Sequence, residues 1–464
     1  MAVSLKHAFV SSVPDAGDPN EVGPNEWNGE HDLTMGANTI MGHVGAGGAA
    51  QDLTPAQARS LLNAGIVLIA TDFSGVDPTG STDSTAGLQS AIDAASSAKC
   101  PLFVPAGTYL VSEDDPDIAL QLKSDVDLFG AGPEVTTIKL DAGGDGHLLN
   151  AASGVNNWSV RCMTLDGDRT NQTLAGIHCV RTNGNENVVL RDLWIKNAKH
   201  YGIGLQNGTI KNMLISNIRL TGIGGDGIDI KQKPTATGGT ANSGVFIENI
   251  WVESFGVDSS ITSVSAQAGI DVRGIVHLSN ITVEGVAADK MGIRFRAGVA
   301  NDNSNWPNGA GAARSTLTGF AITGSAGTGL YCEEVFTNIA NGSIGACAIG
   351  VEILQQNNNL LNVQTLNCPI GFQIRSDGSL PTTSVRNKLT GCDARGGSTY
   401  GFDIQTVRNS LSGCSASNCG VAFRLPSGAD ANSIVGGSVQ NNTTNLSNSG
   451  SNNRVVGIPS ITDV

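Results

Sequence analysis

The sequence is short of the bulky residues that fill a thick globular core. Aromatic residues make up 5% and charged residues 15% of its 464 positions, beside 60 glycines. That balance favours many short turns around a narrow core of aliphatic side chains. Lysine and arginine are outnumbered by acidic residues, 27 to 41, for a net charge of −14. A nucleic-acid partner needs clustered basic residues, so this balance argues against one. No apolar run reaches the length that spans a bilayer, so no membrane insertion is expected. Met1 to Gly17 lacks the apolar centre of a secretory signal, and an extracellular substrate would be met by another route, such as lysis. No Cys-x-x-Cys pair is matched by a His or Cys pair, so zinc has no support, and no metal or other cofactor is expected. The nine cysteines are an odd number. Cys162, Cys179, Cys332, Cys347 and Cys368 lie among apolar strand residues and read as small buried hydrophobes made in a reducing cytoplasm.

What the chain does have is a repeat. A glycine, an apolar residue, any residue and a second apolar residue recur down the sequence. The units open at Gly176, Gly202, Gly227, Gly269, Gly292, Gly329, Gly350, Gly371, Gly401 and Gly420. Most intervals are 19 to 26 residues, and three longer ones (42, 37 and 30) read as coils with an inserted loop. A period of this size with alternation inside each unit predicts a solenoid of stacked strands. A second strand column aligns Leu193-Trp194-Ile195, Ile218-Arg219-Leu220, Ile250-Trp251-Val252 and Ile281-Thr282-Val283. Toward the C-terminus Asn387, Asn409, Asn432 and Asn453 recur at steps of 22, 23 and 21, predicting side-chain amides that hydrogen-bond along the axis. This ladder is expected to carry the solenoid to the end of the sequence, and no separate C-terminal trimerisation domain is expected.

Residues 1–70 stand outside the repeat, and a short helix over Leu53–Leu62 is expected there, with Thr54 as N-cap and Pro55 in its first turn. The Trp27-Asn28-Gly29-Glu30-His31 run, the glycine-rich link after it and that helix resemble the N-terminal region of bacteriophage tail fibres and tailspikes. The resemblance covers about 65 residues and implies virion attachment through phage tail or baseplate proteins, and a homotrimer. Residues 71–118 form an opening block: Gly75-Val76-Asp77-Pro78-Thr79-Gly80, a helix capped by Asp83 or Ser84 with Leu88, Ile92 and Ala95 on its apolar side, and a strand over Leu102–Val111. This block resembles the opening of pectate-lyase-superfamily proteins, which implies a right-handed parallel β-helix over 119–464, an all-β fold whose first coil the helix covers.

Alternation places the third residue of each glycine unit on the face away from the core. That column reads His178, Gly204, Asp229, Asp271, Arg294, Tyr331, Glu352, Gln373, Asp403 and Ala422, with Lys231, Arg273 and Arg296 two residues on. Coils stack at about 4.8 Å, so Asp229 and Asp271 should be neighbours, and Asp226 on the preceding turn offers a further pairing. Carboxylates about 5 Å apart suit a retaining glycosidase and wider pairs an inverting one. The competing reading is a salt ladder in which Lys231 and Arg273 relieve stacked charge. In the second column Trp194, Arg219 and Trp251 stack on the outward side, which fits either a sugar platform or a subunit interface. Glu253 on that column is a further candidate carboxylate, and the loop of residues 298–313, with Trp306, is a candidate groove wall.

The run Asp226-Gly227-Ile228-Asp229-Ile230 is similar to the Asn-Thr-Asp-Gly-Ile-Asp-Ile run of polygalacturonases, which implies catalysis by Asp226. Gly224-Gly225 replace its Asn-Thr, and the family's Asp-Asp, Gly-His-Gly and Arg-Ile-Lys motifs are absent. The reading that joins these features is a phage tailspike that binds and hydrolyses a bacterial surface polysaccharide (capsule, exopolysaccharide or O-antigen) with carboxylates from Asp226, Asp229, Asp271 and Glu253. Such a protein is made in the host cytoplasm and acts at the bacterial surface as part of the virion. Substrate contacts are expected from Trp194, Arg219, Trp251, Lys231, Arg273, Arg294, Arg296 and Trp306. A polysaccharide lyase acting on an acidic glycan, with Lys231 or Arg273 as base, and a non-catalytic receptor-binding spike are the alternatives.

Overall fold

The computed structural model describes four short strands within residues 1–66, then residues 67–114, 116–206, 208, 210–231, 243–261, 267–296, 315–334, 336–376 and 386–458. The chain divides into two compact units, Met1–Val67 and Leu68–Val464. In the first, Ala2–Leu5 pairs antiparallel with His31–Thr34, and Ile40–Gly42 with Gln51–Leu53. The helix expected over Leu53–Leu62 lies outside the described residues, apart from Leu53 at the end of a strand.

The second unit is a right-handed parallel β-helix. Each coil gives one short strand to a 13-stranded sheet and one long strand, or two shorter ones, to a 21-stranded sheet. The long strands turn a corner at a residue in the left-handed region. Asp192, Asn217, Asn249, Asn280, Asn341 and Asn362 hold φ between 52° and 56° there. Asparagine and aspartate tolerate this conformation, and their side chains also bond along the axis. The Asn217 amide donates to Asp192 at 3.0 Å, Asn249 to Asn217 at 3.0 Å and Asn280 to Asn249 at 2.7 Å.

The repeated glycines answer a close approach of coils. A Cβ on Gly227 would stand 2.4 Å from the carbonyl oxygen of Gly269, and one on Gly292 2.5 Å from that of Gly329. The two ends of the predicted series are corrected by the register. Cys179 rather than Gly176 precedes Val180, which pairs with Ile203, and Ala422 rather than Gly420 lies beside Gly401. Small side chains suffice at those ends. The face column therefore carries Arg181 in place of His178 and Arg424 in place of Ala422.

Inside, apolar residues stack coil on coil, ending in Phe372, Phe402 and Phe423, whose rings lie 4.7 and 4.9 Å apart and nearly parallel. The C-terminal asparagines stack as expected, with Asn387 donating to Asn409 at 3.2 Å, Asn409 to Asn432 at 3.0 Å and Asn432 to Asn453 at 3.1 Å. Eight of the nine cysteines are buried and all nine are free thiols. Several donate to carbonyl oxygens at the corners, as Cys414 does to Leu389 at 3.5 Å. At the N-terminal end the helix Thr85–Ala98 buries Leu88, Ala91, Ile92 and Ala95. Its Gln89 side chain both donates to and accepts from the backbone of Gln121 on the first short-sheet strand, at 3.1 and 2.8 Å. The strand expected over Leu102–Val111 is two strands, Leu102–Val104 and Gly107–Val111, because the chain turns a corner at Pro105 and Ala106.

Candidate active site

Three consecutive short-sheet strands carry most of the candidate residues: Ile228–Lys231, Ala268–Arg273 and Met291–Arg296. Their inward residues, among them Ile228, Ile230, Ile270, Val272, Ile293 and Phe295, are fully buried and fix the register. Asp229 is thereby set beside Asp271, Asp271 beside Arg294, and Lys231, Arg273 and Arg296 in the next column. Asp226 joins from the preceding turn, where Ala268 N–H donates to its Oδ1 at 2.6 Å. One oxygen from each of Asp226, Asp229 and Asp271 lies within 4.8 Å of the others.

The aspartates were expected to face solvent, and they do not: Asp229 and Asp271 are 0% exposed. The long side chains two residues on fold back over them. Lys231 Nζ lies 2.7 Å from Asp229 Oδ2, which also accepts from Gln206 Nε2 at 3.0 Å. Arg296 and Arg273 approach Asp271 Oδ2 at 2.7 and 3.7 Å.

The same column supplies its own control. Asp403 is equally buried, yet it accepts from Gln373 at 3.1 Å, Gln405 at 2.7 Å and Arg424 at 3.1 Å. Asp403 is thus saturated with donors. By contrast, Asp229 Oδ1 and Asp271 Oδ1 lack a hydrogen bond and Asp271 Oδ2 has only its ion pairs with Arg296 and Arg273, while Nε and Nη1 of Arg294 also lack a hydrogen bond. Buried polar atoms left in this state are uncommon and point to a site with work to do.

The charges are correspondingly displaced. Burial, then Asp271 and Asp229, push the Asp226 carboxyl well above its ordinary value. Burial raises Asp271 to about 6, with Asp229 adding to the shift and Arg296 and Arg273 opposing it. Three carboxylates at this spacing are in number a cation-binding set. Lys231, Arg273, Arg294 and Arg296 crowd the same coils and oppose a cation there.

Sequence reasoning missed the histidines beside this cluster. The His147, His178 and His200 rings follow one another at 4.8 and 5.5 Å, and Tyr201 stacks on His200 at 3.8 Å. Gly204 has no side chain, which leaves room for the His178 ring: a Cβ there would meet its Nδ1 at 2.4 Å. Lys231 links the two groups, with its Nζ 3.3 Å from Tyr201 Oη. Burial first, with neighbouring cations adding, holds His147 and His200 at about 4. The available signal was that three of the chain's seven histidines fall in successive coils.

The remaining candidates lie elsewhere. Trp194, Arg219 and Trp251 stack in register as expected, but on the long sheet. Glu253 belongs there too, paired with Arg219 at 3.2 Å, and so is not brought together with the aspartates. Trp306 and the loop around it lie outside the described residues. A cavity of about 270 Å³ lies against the long sheet, beside Trp194 and Arg219, not over the aspartates.

A family model described as rhamnogalacturonase A/epimerase, pectate lyase-like, matches residues 69–271. A mannuronan C5-epimerase, AlgE2 of Azotobacter vinelandii, is 41% identical over 100 residues, which is 20% of this chain and 10% of that protein. Alginate lyase 7 of the same organism is 39% identical over 108 residues, 22% of this chain and 12% of that protein. The chain thus spans about a tenth of the length of these curated relatives. Among solved structures, the A-module of the A. vinelandii epimerase AlgE4 superposes with a TM-score of 0.53 at 17% identity, covering 84% of this chain and 99% of that one. An N-terminal fragment of bacteriophage Phi29 gene product 12 gives 0.54 at 17% identity, covering 84% and 73%. A Streptomyces thermodiastaticus GH87 alpha-1,3-glucanase gives 0.53 at 15% identity, covering 85% and 70%. What these structures share with the chain is the parallel β-helix fold.

Proposed function

We propose that the chain is a polysaccharide depolymerase of a phage tailspike, hydrolysing a bacterial surface glycan at Asp226, Asp229 and Asp271. The observation that carries this reading is the contrast within one column between a donor-saturated Asp403 and the under-bonded Asp271. Asp226, whose carboxyl burial and the two neighbouring aspartates raise, protonates the glycosidic oxygen. Asp271 acts as base or nucleophile, and Lys231 holds Asp229 beside them. The names of the relatives support a carbohydrate substrate, since they include epimerases, a lyase and a glucanase. Virion attachment and a homotrimer rest on the resemblance of residues 1–65 to tailspike N-termini.

A second reading, a lyase acting on an acidic glycan, is favoured by Arg294, whose two unbonded nitrogens can hold a sugar carboxylate. Lys231 or Arg273 is then the base.

A reducing-end assay on capsular and lipopolysaccharide preparations, with ultraviolet absorbance followed in parallel, separates the readings. Hydrolysis yields reducing ends without an unsaturated product, and elimination yields both. Activity retained by Asp226→Asn and Asp271→Asn would remove the assigned site. A glycan bound but never cleaved would make the chain a receptor-binding spike.

A further inference from the structure

The cavity of about 270 Å³ on the long sheet is not part of the aspartate cluster, yet its walls have a composition suited to sugars. Trp194, Arg219, Asn217, Asn249, Glu134 and Pro133 line it. We infer that it is a second glycan-binding site, which holds one ring of the same polymer without reacting with it. This rests on the reading that the chain binds a polysaccharide, but not on the aspartates being catalytic.

A pyranose presents an apolar face and a rim of hydroxyls. An indole suits the first, and a guanidinium and a carboxylate suit the second. The walls are also held in place before any ligand arrives. The Arg219 guanidinium lies between two indoles, 5.0 Å from the Trp194 ring and 4.9 Å from that of Trp251, and its Nη2 meets Glu253 at 3.2 Å. Trp194 is fixed by its Nε1–H, which donates to Thr221 Oγ1 at 2.9 Å. Asn217 and Asn249 are tied into the corner ladder. A ligand therefore pays little to order this site. Arg219 Nε is buried without a hydrogen-bond partner.

Size and surroundings select the occupant. The volume, about 270 Å³, falls just below the range for small-molecule sites, about 300–1,000 Å³, and suits a sugar ring rather than a helix about 10 Å across. A second copy of the chain would need about 800 Å² of surface with an apolar centre. Here the flank is the exposed asparagine ladder, already bonded along the axis.

The test is affinity electrophoresis in gels cast with sodium alginate, polygalacturonate, or purified capsule and lipopolysaccharide from candidate host strains. Asp226→Asn serves as the parent chain, so that turnover does not erode the matrix. Trp194→Ala and Arg219→Ala should weaken retention at least about tenfold. The exposed Trp251→Ala, whose truncation leaves the core intact, should weaken it by a smaller factor. With Asp226 restored, these changes should slow cleavage of polymer more than cleavage of a short oligosaccharide. Unchanged retention in all three variants, with circular dichroism like the parent's, overturns the inference alone. So does a loss of subunit association by sedimentation while retention persists, which would make the patch a self-contact. A parent chain retained by none of these gels overturns the polysaccharide reading as well. Retention by the wild-type chain without cleavage overturns only the catalytic assignment.

Discussion

Replacing Asp271 by asparagine should silence the site and at the same time stabilise the fold at alkaline pH. Burial lifts this carboxyl from 3.8 to about 6, so the folded chain holds the proton more tightly than the unfolded chain. Below 3.8 both states are protonated, and the carboxyl costs nothing. Between 3.8 and about 6 only the unfolded state ionises and stability falls; above 6 the full cost stands. A shift of about 2 units corresponds to about 3 kcal/mol. Asparagine has the same shape and never ionises, so Asp271→Asn should gain about 3 kcal/mol at pH 8 and almost nothing at pH 3.5. For a chain of this size that is roughly 3 °C in melting temperature. The assay is a pair of thermal melts by circular dichroism at each pH, comparing the first transition, because a solenoid need not melt in one step. If Asp271 is instead a structural bridge to Arg296, its removal strands a buried guanidinium and costs about 3–5 kcal/mol. A variant less stable than wild type at pH 8 would therefore refute the reasoning.

Other expectations follow from the same geometry. Cleavage should fall as pH drops below about 6, where Asp271 takes up a proton, and Asp226→Asn should lower the rate about 10²–10⁴-fold; a rate flat from pH 5 to 8 contradicts this. His147 and His200, held at about 4 rather than 6.5, contribute stability that is present above 6.5 and lost as pH falls through 4. Each is worth about 3 kcal/mol over that window, with Asp271 partly offsetting the loss, and His200→Gln should flatten the decline in urea melts. Gly292→Ala puts a methyl 2.5 Å from the Gly329 carbonyl oxygen and 2.6 Å from Ile322 Cγ2, and should cost about 1–3 kcal/mol by urea midpoint. Asn409→Ala strips the Asn387 backbone N–H and amide of their acceptor, for about 1–3 kcal/mol; a shift of only a few tenths would mean the ladder is ornamental.

The fold was legible because it is written many times over. The glycine at each unit's opening, the alternation after it and the asparagine spacing each report one coil, and the coils repeat. Gly176 and Gly420 misled because the pattern there is present while the register is shifted; stacking geometry, not the local string, decides which residue meets the neighbouring carbonyl. The juxtaposition of Asp229, Asp271, Lys231, Arg273 and Arg296 followed directly from the period. Their burial did not, because alternation tells which side of a strand a residue leaves, not what folds over it. Glu253 went wrong for a related reason: Arg219, one coil earlier in the adjacent column, takes it as a partner. The histidine cluster was hidden because His147, His178 and His200 hold different positions within their coils, and only Gly204's missing side chain lets the rings meet.

The buried thiols have a practical consequence. Cys100, Cys179, Cys332, Cys347, Cys368, Cys392, Cys414 and Cys419 are spread from the first coils to nearly the last, and none is tied in a disulfide. Burial pushes Cys332 and Cys347 up to about 12, which leaves almost no reactive thiolate while their coils stay closed. Alkylation therefore waits on local opening. Pulse-labelling with a thiol reagent, read by mass spectrometry, would record the order in which the solenoid frays, using probes the chain already carries.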